Sequence, residues 1–247
     1  LIWVFPIFWV VLTSFRGEGR GPYTTSFFPQ TWSLDSYAKL FNDTTVLNFP
    51  QMFQNTLIIA IFSCLISTFM VLCVSYCMSR LRFKMRKSYM NLAMILTLFP
   101  GFMSMVAVYY ILKAIGLSEG NMIRVALVMV YSGGAGLGFY VAKGFFDTIP
   151  KALDEAALLD GANKWKIFTK ITIPLSKPII VYTILTSFMA PWTDFIFAKV
   201  ICRAQQEYYT VSIGLWKMLE KEYITSWYTS FAAGAVLISI PIAALFL

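Results

Sequence analysis

Six long apolar runs decide what this chain can fold into. They lie at about 1–15, 52–79, 88–112, 123–142, 178–199 and 228–247. A bilayer core about 30 Å thick takes about 20 apolar helical residues to cross. The four middle runs meet that length, and tilt accommodates the longest of them. The runs are continuous and do not alternate, which argues against membrane strands. The expected fold is all-α: a polytopic transmembrane helix bundle of about six spans, with one domain over 1–247. Only 13% of the residues are charged, against about 25% in soluble domains. The sequence opens on "LIWVFPIFWVVLTSF" and closes on "VLISIPIAALFL", so it reads as starting inside its first span and stopping inside its last. A signal peptide fits the start less well, because no basic region precedes the apolar one.

The net charge of +8 would suggest nucleic acid as the partner of a soluble protein. Here the basic residues sit in loops between spans, so no nucleic acid is expected. "RLRFKMRK" (80–87) holds five basic residues and no acid, and 143–177 holds Lys143, Lys151, Lys164, Lys166, Lys170 and Lys177. In 16–50, Arg16, Arg20 and Lys39 are balanced by Glu18, Asp35 and Asp43; in 200–227, Arg203, Lys217 and Lys221 are balanced by Glu207, Glu220 and Glu222. The positive-inside rule therefore places 80–87 and 143–177 in the cytoplasm. Six spans then put both ends of the chain there too. In the first outer loop, Ser33 is positioned to cap a short amphipathic helix in "SLDSYAKLF". Cys64, Cys73, Cys77 and Cys202 show no metal spacing and no disulfide pattern. Histidine is absent, which removes the commonest general base.

The polar insert "IPKALDEAALLDGANKWKIFTKITIPLSKP" (149–178) separates the fourth and fifth runs. Pro150 suits a first helical turn, and Asp154 and Glu155 sit near the positive end of the helix. Ala156 and Ala157 give it a face of small residues. Gly161 follows the last periodic residue, as a left-handed stop requires. Residues 151–160 are thus expected to form a short helix. "NKWKIFTKITIP" starts a second one, with Trp165, Phe168 and Thr172 on one side; Pro174 and Pro178 are expected to end it and turn the chain into the next span. The insert is either a solvated hairpin joining two spans or a docking element for a cytoplasmic partner.

These residues resemble a known signature. Glu155-Ala156-Ala157, three residues, Gly161, nine residues, then Ile171-Thr172-Ile173-Pro174 is similar to the EAA signature of ABC-importer permeases, with Ile173 where Leu is usual. The six-span layout, "WSLDSYAKLF" and "FQNTLIIA" resemble the second permease subunit of maltose-type, binding-protein-dependent sugar importers over essentially the whole chain. The resemblance implies cytoplasmic coupling helices within 149–176, docked on an ATPase through Asp154, Glu155, Ala156, Ala157, Leu158, Asp160, Gly161, Ile171 and Pro174. It implies a heterodimer with another permease subunit, two nucleotide-binding ATPase subunits, an extracytoplasmic sugar-binding protein and a bacterial inner membrane. The chain itself is then not an enzyme and binds no cofactor; ATP and magnesium belong to the partner ATPase. Independently, the sequence has no G-x-x-x-x-G-K-[ST] and no Gly-Lys pair, so any phosphate-cradling loop of that kind must come from another subunit.

Within the spans Asp194 is the clear acid, in "APWTDFIFAKV" near the outer end of the fifth run. It is either a solvated or capping end residue or, with Trp192, part of a sugar path. "SGGAGLGF" lacks the strand–helix context of a dinucleotide site; Gly134 and Gly138 suit close helix packing. Pro100 and Gly101 suit a kink. An ion-coupled secondary transporter is the alternative, but such proteins usually bury several ionisable groups and show symmetric halves. A membrane enzyme has no catalytic constellation here.

Overall fold

The computed structural model describes residues 2–24, 26–98, 101–135 and 138–246. Among them there is no strand, only an isolated antiparallel bridge between Arg16 and Trp32. Helix α1 (Phe5–Ser14) lies in the first apolar run, and α2 (Asp35–Asn42) follows the polar loop. The cap position of α2 is Leu34, one residue after the expected Ser33, and carries no side-chain cap bond; the Ser33 hydroxyl accepts the Asp35 amide at 2.9 Å just ahead of the helix.

Helix α3 (Phe49–Arg80) organises the molecule. Asn48 caps it by accepting the Gln51 amide, and Pro50 sits in its first turn. Its 32 residues, at about 1.5 Å each, make it about 48 Å long, so it outreaches the bilayer core at the ends. One face carries small buried residues, Thr56, Ala60, Ser63, Ser67 and Ser75, which let neighbouring helices approach closely. Thr56, Ser63 and Ser75 donate their hydroxyls to carbonyls four residues back.

The third run divides into α4 (Arg86–Thr97) and α5 (Gly101–Ala114). Pro100, where together with Gly101 the sequence suits a kink, lies outside the described residues. The fourth run divides into α6 (Met122–Ala135) and α7 (Phe139–Thr148), set 42° apart. Gly136 lies outside the described residues. A side chain at Gly134 would meet nothing within 4 Å, so Gly134 does not mediate close packing within this chain as its spacing suggested.

The polar insert forms α8 (Lys151–Leu159), α9 (Lys164–Ile167), a π-helical turn (Phe168–Thr172) and α10 (Ile173–Leu175). The chain then bends by 83° into α11 (Lys177–Thr193). This corrects the expectation that Pro174 ends the second helix, which runs through it to Leu175. The wider π turn, in which the Ile173 amide bonds the Phe168 carbonyl, shifts the hydrogen-bond register just ahead of the proline and gives its ring room. The bend comes at Ser176, whose hydroxyl donates to the Thr172 carbonyl at 2.6 Å.

Helices α12 (Ile196–Cys202), α13 (Val211–Met218) and α14 (Ile224–Phe246) complete the chain. Alone, α3 and α14 are long and apolar enough to span a membrane. Helices α6, α7 and α11 pack around α3, and α14 packs on α1, α2 and α13. One core joins Phe49, Met52 and Ile59 of α3 to Ile123, Leu127, Val211 and Ile213. A second, toward the insert, joins Val71, Leu72 and Tyr76 to Phe146, Phe168 and Ile179.

Candidate functional site

The insert is held against the last two turns of α3. Tyr76, Ser79 and Arg80 share one face of that helix by their i, i+3, i+4 spacing. The Tyr76 hydroxyl donates to the Lys164 carbonyl at 3.1 Å, and its ring packs on Phe168 at 4.8 Å. Ser79 donates to Asp147 at 2.6 Å. Arg80 Nη2 donates to the carbonyls of Phe146 (2.9 Å) and Ile149 (2.8 Å), so a cation closes the negative C-terminal end of α7. Arg80 Nε also lies 3.5 Å from Asp154 Oδ2 of α8.

Helix α8 ends as the sequence requires. Gly161 has φ +78°; its amide bonds the Leu158 carbonyl at 3.1 Å, and the Ala162 amide reaches back to Ala157 at 2.9 Å. These two bonds are a Schellman closure. The Asn163 side chain then caps α9 by accepting the Lys166 amide. The ends of α8 are fixed, yet the helix has no buried residue. Asp154 and Ala157 are half-buried toward the body of the chain, while Glu155, Ala156, Leu158, Asp160 and Gly161 are exposed. Leu159 is 89% exposed, with Leu153 and Leu158 at 42% each. Ile171 is half-buried in the π turn and Pro174 is exposed. Thus Glu155, Ala156 and Leu159 share an outward face that is apolar except for one carboxylate. Arg80, Ser79 and Tyr76 gave no signal in the sequence, because Arg80 reads there as one of five equivalent cations.

A second feature lies between α6, α7 and α11. A cavity of about 500 Å³ is lined by Val71, Tyr131, Val141, Thr183, Thr186 and Asp194, among others. The Asp194 carboxylate accepts the Tyr131 hydroxyl at 2.7 Å and the amides of Phe197 and Ala198 at 3.2 and 3.1 Å. It therefore caps α12 after the break that follows α11, and three of its roughly four acceptor positions are filled. Trp192 does not line the cavity. It is 2% exposed and packs edge-on against Phe53 and beside Phe188.

At the far end of α3 the loops 16–50 and 200–227 meet. Lys39 donates to the Ser226 carbonyl at 2.7 Å, Lys217 to Val46 at 2.9 Å, and Asn55 to Glu207 and Tyr209 at 2.8 and 3.1 Å. Arg16 pairs with Glu18 at 2.8 Å and donates to the carbonyls of Ser26 and Phe27. Burial pushes the Glu18 carboxyl up, but the amides of Gln30 and Thr31 and the Arg16 charge outweigh it and hold it near 2. Among the described residues no three His, Cys, Asp or Glu side chains gather as a metal site would need.

The family model described as "Binding-protein-dependent transport system inner membrane component" matches residues 72–247. The galactooligosaccharides transport system permease protein GanQ of Bacillus subtilis (strain 168) is 34% identical over 100% of this chain and 86% of that protein. The maltodextrin transport system permease protein MdxG of the same organism is 31% identical, again over 100% of this chain and 86% of the relative. A solved bacterial ABC transporter involved in the import of the acidic polysaccharide alginate matches in fold. Its TM-score is 0.80 at 21% identity, over 100% of this chain and 89% of the other.

Proposed function

The chain belongs to the family of binding-protein-dependent transport system inner membrane components, and from that premise we propose that it is one permease subunit of an ATP-driven importer of oligosaccharides. Relatives named for galactooligosaccharides and maltodextrins support the cargo class. The observation that carries the reading is the outward face of α8: closed at its C-terminal end by Gly161, held by α3, and bare of intramolecular cover. Such an exposed apolar face in an ordered element marks an interaction surface.

In this reading the cytoplasmic ATPase receives Glu155, Ala156, Leu158 and Leu159 in a cleft, with Glu155 paired to a basic residue there. Asp154 and Ala157 face back to the permease, Asp160 and Gly161 shape the exit, and Ile171 and Pro174 set the π turn and the bend into α11. Two ATPase subunits hold ATP and magnesium, and a second permease subunit completes the pore. A sugar-loaded binding protein docks on the joined 16–50 and 200–227 loops. Closure of the ATPases displaces α8, and the bundle alternates between inward and outward access by rigid-body motion. The sugar passes along the cavity beside Thr183 and Thr186, which line it. Asp194 shapes that cavity by fixing Tyr131 and α12, and Trp192 supports it from behind.

Glu155→Lys tests the docking. In vesicles with the binding protein and galactooligosaccharide or maltodextrin, the variant is expected to lose sugar-stimulated ATP hydrolysis and uptake together. Normal stimulation, or uptake driven by an ion gradient without ATP, overturns the reading.

A further inference from the structure

We propose that Arg80 is the positioning residue that passes the motion of α8 into α3, through an ion pair with Asp154 that tightens when α8 is gripped. This deepens the ATPase-docking reading and rests on it. Arg80 is 3% exposed in its side chain and held on the α7 side by its two carbonyl bonds. On the α8 side its contact is loose. The Nε–Oδ2 distance of 3.5 Å exceeds the about 2.7–2.9 Å of a charge-assisted hydrogen bond. Arg80 Nε and Nη1 and Asp154 Oδ1 are buried with no hydrogen-bond partner among the described residues. These atoms therefore hold bonding capacity that a closer approach of the two side chains uses.

Space for that tightening is present. A hollow of about 200 Å³ runs along the contact, lined by Arg80, Asp154, Glu155 and the further cations Arg82, Arg86, Lys151 and Lys164, among others. An approach of α8 by about 0.7 Å brings the pair to charge-assisted length. In this proposal the loose arrangement seen here and the tight one reached when α8 is gripped form the kind of two-state element that coupling between sites requires. Because Arg80 also holds the end of α7, its displacement moves α3 and α7 together. Those helices place Val71 and Val141 on the wall of the 500 Å³ cavity. The small stroke at α8 thereby reaches the translocation path through rigid helices.

The test compares Asp154→Asn, Arg80→Gln, Arg80→Lys and Glu155→Lys in the complete reconstituted importer, with maltodextrin and galactooligosaccharide as probes. The readout is ATP hydrolysed per sugar imported by complexes that have assembled. Asp154→Asn leaves the Arg80 carbonyl bonds in place, so it decides the matter even where Arg80→Gln assembles poorly. Asp154→Asn and Arg80→Gln are each expected to raise that ratio about fivefold or more, the lower end of measured coupling effects. Their double variant is expected to go no further, and Arg80→Lys to recover part of the loss. A residue that merely supports the fold would lower complex yield and leave the ratio unchanged; that result overturns the proposal. If the ratio stays normal while Glu155→Lys abolishes stimulation, the docking reading stands and the Arg80 role falls. If all are normal, both fall.

Discussion

The two ends of α3 are built on opposite terms. At the end away from the insert the long polar side chains turn inward: Lys39, Lys217 and Asn55 each donate to backbone carbonyls of another segment, and Arg16 is buried. At the insert end α8 has no buried residue and shows Leu159 almost wholly to its surroundings. The end away from the insert is ordered by its own bonds. The insert end is ordered at its caps and anchors but leaves its surface bare. Order without cover is what an obligate partner's docking element requires, since bare leucines on a free helix cost solubility and serve no packing within the chain.

The sharpest break of this contrast is Asn55→Leu. It strips the carbonyls of Glu207 and Tyr209 of their donor and Arg124 of its acceptor, so a loss of about 3 kcal/mol is expected. Thermal unfolding of the purified chain measures it, and ATPase binding by the molecules that remain folded is expected to stay normal. Leu159→Asp should do the reverse. Unfolding is expected to move by no more than about 0.5 kcal/mol, while ATPase binding weakens by about 2 kcal/mol, as at an interface hot spot. Co-purification across a subunit titration reads this out. Next is Gly161→Val, which forces a β-branched residue to φ +78° and should cost about 1–2 kcal/mol. Open space surrounds the position, so Gly161→Asn, which tolerates that backbone, is expected to retain most function.

The smallest effect concerns the outer loop. Glu18 is held near 2 against 4.5, so its folded-state pKa is depressed. Its contribution is complete above pH 4.5 and is lost as pH falls from there through 2. Protection of the Gln30 and Thr31 amides, taken relative to the exchange rate of an unstructured peptide at the same pH, is expected to fall across that window, while the amides closing α8 show no such step.

How much the sequence reveals also differs between the ends. The α8 boundary was legible because a glycine stop and a run of helix formers are local signals, and Gly161 has the left-handed φ they require. The apolar runs were legible from length alone. Arg80 was not: its neighbours Arg82 and Lys84 have the same chemistry and are exposed, and only the arrival of α7 and α8 singles it out. The π turn before Pro174 was also hidden, because it answers to the register set by the following span. Asp194 carried two readings in the sequence; its bonds from the amides of Phe197 and Ala198 are local, whereas the one from Tyr131 comes from 63 residues away.

The most direct measurement is thiol labelling of Ala156→Cys by a membrane-impermeant reagent, with Ala156 itself as the background control. It is done in inside-out vesicles carrying this chain with its partner permease, with and without the ATPase subunits. Expected is rapid labelling without the ATPase and at least about tenfold slower labelling with it. Equal rates in the two preparations would contradict the claim that an ATPase cleft covers α8.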